Sequence, residues 1–424
     1  MISQAKALIK RVKKSKDGKV LASNFGFLML LQIAGYIFPL ITIPYLARVI
    51  GVEGFGKIAF AAAVVVWFQT VADWGFNYTA TRDVARNRDD LEKVSETFSN
   101  VLWARICLML VSFALLGLLI ATVPYFNENK EILLITFLLV PGHILFPDWF
   151  FQAMERMKYI TLFNLVSKAL FTALVFVFIT TKEDYILQPL LTSLGFLVSS
   201  AGAMFIILVK WKVKIRAPNL REVIKAIRNS TDVFINNILP NLYNSLAVIL
   251  LGFWGGSTAN GIYDAGRKLV LLAHSFMTIV VRVTFPFLSR KIESHDLFVK
   301  VYLAIGFIGS LLLFFLSPML ITLLFTEDFN EAVVVLKISS MSVFLVALSR
   351  AYGTNYLIIE GYEKDLRNIT FICSLFGFLI SIPFVYYFNY IGAAITLVIT
   401  QAILGFATMF KAKNMKKYGE RNEL

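Results

Sequence analysis

Residues 301–325 read VYLAIGFIGSLLLFFLSPMLITLLF, a run of 25 residues without a charged side chain. A helix needs about 20 apolar residues to cross the hydrocarbon core of a bilayer. Hydrophobic residues make up 58% of the 424-residue chain, and charged residues only 16%. A water-soluble protein of this composition could not cover its surface with polar groups. The chain is therefore predicted to be a polytopic membrane protein, which excludes soluble enzymes, disordered chains and collagen-like repeats.

Apolar stretches of similar length recur along the whole sequence. There are twelve of them, at 25–47, 57–76, 98–122, 132–150, 161–180, 187–209, 231–254, 261–285, 299–325, 332–358, 369–388 and 391–410. They lack the short alternating pattern of an outer-membrane barrel, so each is predicted to be a transmembrane helix.

The basic residues are distributed unequally between the connecting segments. Loops and tails of one parity carry 29 Lys and Arg, whereas the loops of the other parity carry about four: Arg48, Lys57, Lys130 and Lys182. The positive-inside rule places the basic segments and both termini of the chain in the cytoplasm. The net charge of +14 is thus explained by topology, and no nucleic-acid partner is predicted.

The longest cytoplasmic connection divides the spans into six and six. The predicted parts are a basic N-tail (1–24), two six-helix bundles (25–209 and 230–410), the linker 210–229 and a basic C-tail (411–424). Apolar and basic residues of the linker fall on different sides of a helix, which predicts an amphipathic segment on the inner leaflet. The outward loops are all short and leave no room for a catalytic ectodomain, so the chain is not predicted to be an enzyme.

A weak internal repeat relates the two predicted bundles. Gly51 and Gly56, between spans one and two, align with Gly256 and Gly261 after a shift of 205 residues. Two six-span units in one orientation are a known transporter plan, with the binding site at the repeat interface. Chance similarity is the alternative explanation.

Ionisable residues inside the predicted spans are mostly basic. Three acids, Asp73, Asp148 and Asp264, accompany seven bases: Arg105, Lys168, Arg267, Lys268, Arg282, Lys337 and Arg350. A basic residue at a helix centre costs about 2.5–3.5 kcal/mol on insertion scales, so the unpaired ones should face water or an anionic ligand. The predicted fold class is all-α, with twelve transmembrane helices in two bundles around a central cationic cavity.

Span eight carries a polar stripe. Asp264, Lys268, Ser275 and Arg282 fall near one line of an ideal helix, and Arg267 lies about 60° to one side. An Asp264–Lys268 pair at i,i+4 is an alternative to a cavity role for Lys268. It would leave Arg267 and Arg282 unexplained.

Further polar residues on spans one and seven either join helices or contact sugar hydroxyls, and both roles stay open. They are Gln32, Tyr36, Asn237, Asn241 and Asn244. In span ten, Lys337 and Arg350 fall on different faces of an ideal helix, unless it bends near Gly353. The chain has two cysteines, three histidines without the paired spacing of a metal site, and no Walker A pattern. No metal, cofactor or ATP hydrolysis is therefore predicted.

Two sequence blocks resemble the Wzx-type O-antigen flippases. The first comprises PLITIPYLARVIG (39–51) and GFGKIAFA (54–61), and the second DWGF (73–76) and ATRDVARNR (80–88). The specific resemblance covers residues 24–110, and beyond it the similarity is mainly topological. Arg48, Arg82 and Asp83 match these blocks, which implies gating or orientation roles, and Asp73 and Asp264 are further gating or ion-coupling candidates.

The resemblance implies a member of the multidrug/oligosaccharidyl-lipid/polysaccharide exporter superfamily. Such a flippase moves an undecaprenyl-diphosphate-linked oligosaccharide from the inner to the outer leaflet of the bacterial plasma membrane, for the synthesis of O-antigen or a related polysaccharide. Alternating access would pass the diphosphate from Arg282, Lys168 and Arg105 towards Arg267 and Lys268. A polysaccharide polymerase and a chain-length regulator are the implied protein partners.

Other classes of membrane protein are weighed against this hypothesis. A drug/cation antiporter of the same superfamily would favour acidic cavity residues, and a lipid II flippase usually has two further helices. A polysaccharide polymerase would need a longer outer loop, and a structural scaffold would not need the polar stripe of span eight. The sequence does not specify the sugars, the coupling ion, the oligomeric state or the final polymer.

Overall fold

The computed structural model describes the backbone of residues 16–422 and, within 23–416, all side chains except those of Phe25 and Pro286. Most of the predicted basic N-tail and the last two residues of the C-tail lie outside the described residues. Between Lys16 and Asn422 the structure contains helices and no β-strand. An all-helical chain suits a lipid bilayer, because a helix satisfies its own backbone hydrogen bonds where no water is available.

The N-terminal half of the chain contains both long and short helices. They are α1 (Lys16–Asp73), α2 (Phe76–Arg86), α3 (Leu91–Thr122), α4 (Pro124–Glu128), α5 (Lys130–Phe137), α6 (Leu139–Leu145), α7 (Asp148–Ala153), α8 (Met157–Phe178) and α9 (Leu187–Phe205). The predicted span 132–150 is therefore two short helices, followed by a third from Asp148.

The C-terminal half follows a connection without regular structure at 211–219. Its helices are α10 (Leu220–Ile238), α11 (Asn241–Asn244), α12 (Leu246–Leu288), α13 (His295–Leu324), α14 (Ala332–Ser349) and α15 (Glu363–Asn422). A π-helical segment, Arg350–Leu357, continues directly from α14.

Nine helical stretches within the described residues are long and apolar enough to cross a membrane. Three of them are far longer than a bilayer requires: Gly26–Arg86, Leu220–Phe285 and Glu363–Lys416. At 1.5 Å per residue, the first would be about 90 Å long, three times the hydrocarbon thickness. Each of the three contains a break in its helical backbone.

Two of these breaks have nearly the same geometry. Gly51 interrupts α1 with φ 66° and ψ −177°, and Gly256 interrupts α12 with φ 75° and ψ −174°. Glycine adopts this conformation without steric cost, so one residue turns the chain where the sequence predicted loops at 48–56 and 255–260. The third break is at Asn389, with φ 53°.

Helix α13 shows how the sequence divides between lipid and protein. Within residues 301–324, the most exposed large hydrophobic side chains are spaced at helical intervals: Ile308, Leu312, Phe315, Met319 and Leu323. The buried side of α13 includes Gly306, Ser310 and Ser317. Small and hydroxyl residues inside with large apolar residues outside are the pattern of a helix packed among helices in a membrane. This confirms a multi-pass membrane protein.

The chain forms two compact units that do not follow the predicted bundles. One contains the described residues up to Tyr45, together with Trp67–Thr180 and Ile186–Asn237; the other contains Leu46–Val66, Thr181–Tyr185 and the chain from Ile238 onwards. We call them the N-terminal unit and the C-terminal unit. The predicted bundles 25–209 and 230–410 remain a prediction.

Helix α10 packs on other parts of the N-terminal unit, and it also has an exposed apolar edge. The Trp74 ring stacks on Phe234 with 3.9 Å between centroids, and Trp74 Nε1 donates to the Ile227 carbonyl at 3.1 Å. Leu220 and Ile224 are exposed. The predicted amphipathic linker therefore packs partly on protein, and its contact with the inner leaflet remains a prediction. The helix extends nine residues beyond the predicted end at 229.

Candidate functional site

A cavity of about 690 Å³ lies within the C-terminal unit. Its wall is built by α11, α12, the end of α14, the π-helical segment and α15. The volume falls in the range of about 300–1,000 Å³ that is usual for small-ligand sites.

Among the described residues that line the cavity, the charged side chains are Arg267 and Arg350, and there is no Asp or Glu. Arg267 is half-buried on α12, and its buried Nε has no hydrogen-bond partner among the described atoms. Its guanidinium lies 5.9 Å from the centroid of the buried Tyr263 ring. Neither arginine has a carboxylate oxygen within 4.0 Å in the part of the chain that the structure describes. The cavity is thus cationic, with guanidinium groups available to an anion.

Arg350 owes its position to a change of helix type. It is the first residue of the π-helical segment that follows α14, and Thr354 of the same segment also lines the cavity. A π-turn changes the helical register and is frequent at functional sites. Lys337, which the sequence placed on another face, lies outside the cavity lining, with its ammonium 5.7 Å from the centroid of the Phe314 ring.

The remaining lining is rich in neutral polar groups. Asn241 and Asn244 come from the one-turn helix α11, which follows Pro240, and Gln401 comes from α15. Amide and hydroxyl side chains both donate and accept hydrogen bonds, as sugar hydroxyls require. The other polar lining residues are Tyr243, Ser245, His274, Ser275, Thr278, Ser349, Thr354, Thr370 and Thr408.

Asn237 does not join the other two asparagines. It is exposed at the end of α10 and belongs to the N-terminal unit. The three asparagines of predicted span seven do not share one continuous helix, because Leu239 and Pro240 separate α10 from α11.

The polar residues predicted on α12 are present, but the face of the helix that lines the cavity is adjacent to the predicted face. Arg267, Leu271, His274, Ser275 and Thr278 line the cavity. At 100° per residue, this face is rotated by about 40° from the predicted line.

The residues left outside the cavity lining have other surroundings. Lys268 pairs with Asp264 at i,i+4, and its ammonium lies 3.9 Å from the centroid of the Phe55 ring. Arg282 is exposed and is not among the lining residues. Lys268 is therefore neutralised locally, which is the alternative that the spacing left open.

The N-terminal unit holds two of the predicted basic residues. Arg105 is 3% exposed and forms an ion pair with Asp73, while its Nη1 donates to the Ile144 carbonyl at 3.4 Å. Arg105 is thus held by protein groups. It is not among the residues of the C-terminal cavity.

Lys168 lies close to polar residues of α1. A Cβ built on Gly35 would be 3.4 Å from Lys168 Nζ, and Gln32 Nε2 donates to the Tyr36 hydroxyl at 3.0 Å. Within the described residues, Lys168 has no carboxylate within 4.0 Å. Lys168 and the hydrogen-bonded Gln32–Tyr36 pair therefore both lie in the N-terminal unit.

The residues carried over from the family blocks lie at exposed positions. Arg82 and Asp83 form an ion pair on α2, with 54% and 45% of their side chains exposed. Arg48 is exposed on α1, three residues before the break at Gly51. None of the three lines the C-terminal cavity.

Sequence reasoning missed several lining residues, above all His274 and Gln401. His274 lies seven residues after Arg267, which places the two on one face of α12. That spacing could have indicated it. Gln401 and Thr408 are likewise seven residues apart on α15, but polar residues with this spacing are common in membrane helices.

Two solved structures have a fold similar to that of this chain. One is the inward-facing conformation of a multidrug resistance MATE family transporter of the MOP superfamily, with a TM-score of 0.64 and 17% identity, covering 89% of this chain and 96% of that one. Another is the lipid II flippase MurJ in an inward closed conformation, with a TM-score of 0.65 and 15% identity over 91% of this chain and 87% of that one. The chain therefore has the fold of a MOP superfamily transporter.

The sequence comparison gives the family. Residues 21–292 match the family model described as "Polysaccharide biosynthesis protein". A curated relative from Escherichia coli (strain K12), named "Putative O-antigen transporter", is 29% identical over 405 residues, which are 93% of this chain and 97% of the relative. The chain belongs to the polysaccharide biosynthesis protein family, and the resemblance noted in residues 24–110 is confirmed.

Proposed function

We propose that this protein is a flippase that moves a polyprenyl-diphosphate-linked oligosaccharide from the inner to the outer leaflet of the bacterial plasma membrane. The observation that carries the proposal is the charge of the C-terminal cavity. Arg267 and Arg350 line it, and no carboxylate does so among the described residues. The relative named for O-antigen transport supports the oligosaccharide cargo.

The chemistry of the lining suits such a cargo. A guanidinium group binds phosphoryl oxygens through two parallel hydrogen bonds, and it stays charged at all physiological pH values. A diphosphate esterified at both ends carries two negative charges, which match two arginines. Asn241, Asn244 and Gln401 would contact the sugar hydroxyls, and the polyprenyl tail would stay in the lipid.

The proposed topology has twelve spans with both termini in the cytoplasm. The breaks at Gly51, Gly256 and Asn389 would each divide one long helical stretch into two spans, and nine stretches would then become twelve. The distribution of basic loops supports the cytoplasmic termini. In this arrangement, rocking of two helical bundles would expose the cavity to each leaflet in turn. Arg282 and Lys168 are proposed to guide the diphosphate, and a polymerase and a chain-length regulator remain proposed partners.

The two other transport functions differ from this proposal in their cargo. A drug/cation antiporter would require an anionic cavity, which the two lining arginines oppose. A lipid II flippase has a similar fold and also carries a polyprenyl diphosphate. The identity of the cargo trapped in a deletion strain therefore distinguishes lipid II transport from oligosaccharide transport.

The experiment is complementation of a clean deletion in the source bacterium. Surface polysaccharide and the leaflet distribution of the lipid-linked oligosaccharide are measured for wild type, Arg267→Gln and Arg350→Gln. Loss of one hydrogen-bonded charge costs about 1.5–3 kcal/mol. Transport should therefore fall by about ten- to a hundredfold, with the intermediate trapped on the cytoplasmic face at unchanged protein level.

Arg221→Gln is the matched control, because Arg221 is exposed on α10 and outside the cavity. It should support normal transport. Full transport by both cavity variants would refute the proposed role of the cavity. An oligosaccharide that still reaches the outer face in the deletion strain, in a background without paralogues, would refute the flippase function itself.

A further inference from the structure

Among the described residues that line the C-terminal cavity, His274 is the one whose ordinary charge changes near neutral pH. It lies on α12 two helical turns after Arg267, and its ring is half-buried. Its Nε2 is 3.0 Å from the hydroxyl oxygen of Ser342, a buried residue of α14.

The hydrogen bonds around Ser342 determine which ring nitrogen carries the proton. The Ser342 hydroxyl donates to the Ser339 carbonyl, so its oxygen can only accept from His274. Nε2 is therefore the N–H donor, and in the neutral ring Nδ1 is an acceptor. No described residue provides a hydrogen-bond partner for Nδ1. The ring is thus held at one nitrogen and can take a proton at the other.

The charges around the cavity oppose that proton when the cavity is empty. Arg267 faces it from the same helix, and Arg350 faces it from the π-helical segment. The titratable group contributed by α11 is Tyr243, a neutral phenol, and the described lining residues of α15 are uncharged. A third positive charge in this surrounding is unfavourable. An anion with two negative charges reverses the balance, because it attracts all three cations.

We propose that His274 takes up a proton when a diphosphate head enters the cavity, so that binding of the lipid-linked substrate is coupled to binding of a proton. The inference rests on the proposed function for the nature of the anion. It assigns His274 a conditional charge: neutral in the empty cavity and cationic in the occupied one. Because the occupied state binds more protons, affinity must rise as the pH falls.

The size of the effect is bounded by linkage. Uptake of one proton changes the dissociation constant by at most tenfold per pH unit. Between about pH 8 and about pH 6, on either side of the ordinary histidine pKa, uptake of close to one proton should tighten wild-type binding by more than about tenfold, and by up to about a hundredfold. A variant without a titrating group at position 274 should change by less than about twofold.

The test is isothermal titration calorimetry on the purified full-length protein in detergent. The probe is geranyl diphosphate esterified to N-acetylglucosamine, whose doubly esterified diphosphate does not titrate in this range. Titrations in two buffers with different heats of ionisation give the number of protons taken up directly. The wild type should take up close to one proton, and His274→Gln, which keeps an amide donor for Ser342, should take up none.

The other outcomes would overturn either the proton coupling alone or the flippase function as well. Wild-type binding without proton uptake, or equal uptake by wild type and His274→Gln, overturns the coupling and leaves the flippase function standing. Absence of probe binding by the wild type at every pH overturns both. Should His274→Gln fail to fold, the two-buffer measurement on the wild type still decides whether a proton is bound. Ser342→Ala, which retains the imidazole, then shows whether uptake depends on the His274–Ser342 pair.

Discussion

The close crossing of α1 and α12 at Gly56 and Gly261 provides a stability prediction. A Cβ added to Gly56 would lie 1.7 Å from the Ser257 carbonyl oxygen and 2.7 Å from the Gly261 nitrogen. Reciprocally, a Cβ on Gly261 would lie 2.1 Å from the Val52 carbonyl oxygen. Carbon and oxygen approach one another to about 3.3 Å in such contacts. Gly56→Ala therefore forces α1 and α12 apart by about 1.6 Å at their crossing, because the obstacle is backbone.

The expected loss of stability follows from two opposing effects. Overpacking typically costs about 1–3 kcal/mol, and a backbone obstacle places this substitution at the upper end. Alanine is favoured over glycine inside a helix by about 0.5–1 kcal/mol. The net change in the free energy of unfolding should be a loss of about 2 kcal/mol.

Thermal unfolding of the purified protein in detergent measures the effect. Gly117→Ala is the matched control, since Gly117 lies within α3 and a Cβ there meets nothing within 4 Å. The Tm of Gly56→Ala should be lower than that of wild type, and the Tm of Gly117→Ala should be equal or higher. A Gly56→Ala protein as stable as Gly117→Ala would refute the argument from close packing.

Two further stability predictions concern single carboxylates. Asp73→Asn leaves the buried guanidinium of Arg105 without its ion-pair partner, so it should destabilise the protein by about 3–5 kcal/mol. In thermal unfolding, the double variant Asp73→Asn/Arg105→Gln should recover part of this loss. Equal Tm values for Asp73→Asn and wild type would contradict this prediction. Asp90 caps α3 by accepting the Glu92 and Lys93 amides, and the Lys93 amide lowers the pKa of Asp90 below 3.8. Because its folded-state pKa is depressed, the stability from this cap is fully present above pH 3.8 and is lost as the pH falls through the lowered value. The Tm difference between wild type and Asp90→Ser, whose cap does not titrate, should therefore stay constant above pH 3.8 and shift in favour of Asp90→Ser below it, whereas a difference independent of pH would argue against the cap.

The membrane class and the positions of the sharp turns could be predicted from the sequence. Apolar run length follows directly from bilayer thickness. Gly51 and Gly256, chosen for their repeat spacing, have nearly identical backbone conformations in the structure. Their helices were harder to delimit, because a single residue of positive φ turns the chain without a polar loop.

The cavity could be predicted only in part. The sequence identified Arg267, Arg350, Asn241, Asn244 and Ser275, which all line it. It could not separate them from Arg105 and Lys268, because pairing with Asp73 depends on tertiary contacts and the Asp264–Lys268 pair was one of two possibilities. In the sequence, the one indication for His274 was its seven-residue spacing from Arg267. Its significance comes from Ser342, 68 residues away, and from the arginines that share its cavity.

The ion pair between Asp73 and Arg105 also constrains how the protein is made. The two residues lie on separate helices, 32 positions apart along the chain. The insertion cost of about 2.5–3.5 kcal/mol applies to a charge at a helix centre, and Asp73, the last residue of α1, should incur only part of it. The Asp73 helix is synthesised first, so its carboxylate is without this partner until Arg105 emerges. The N-terminal spans should therefore integrate more efficiently together than in a nascent chain truncated between the two residues.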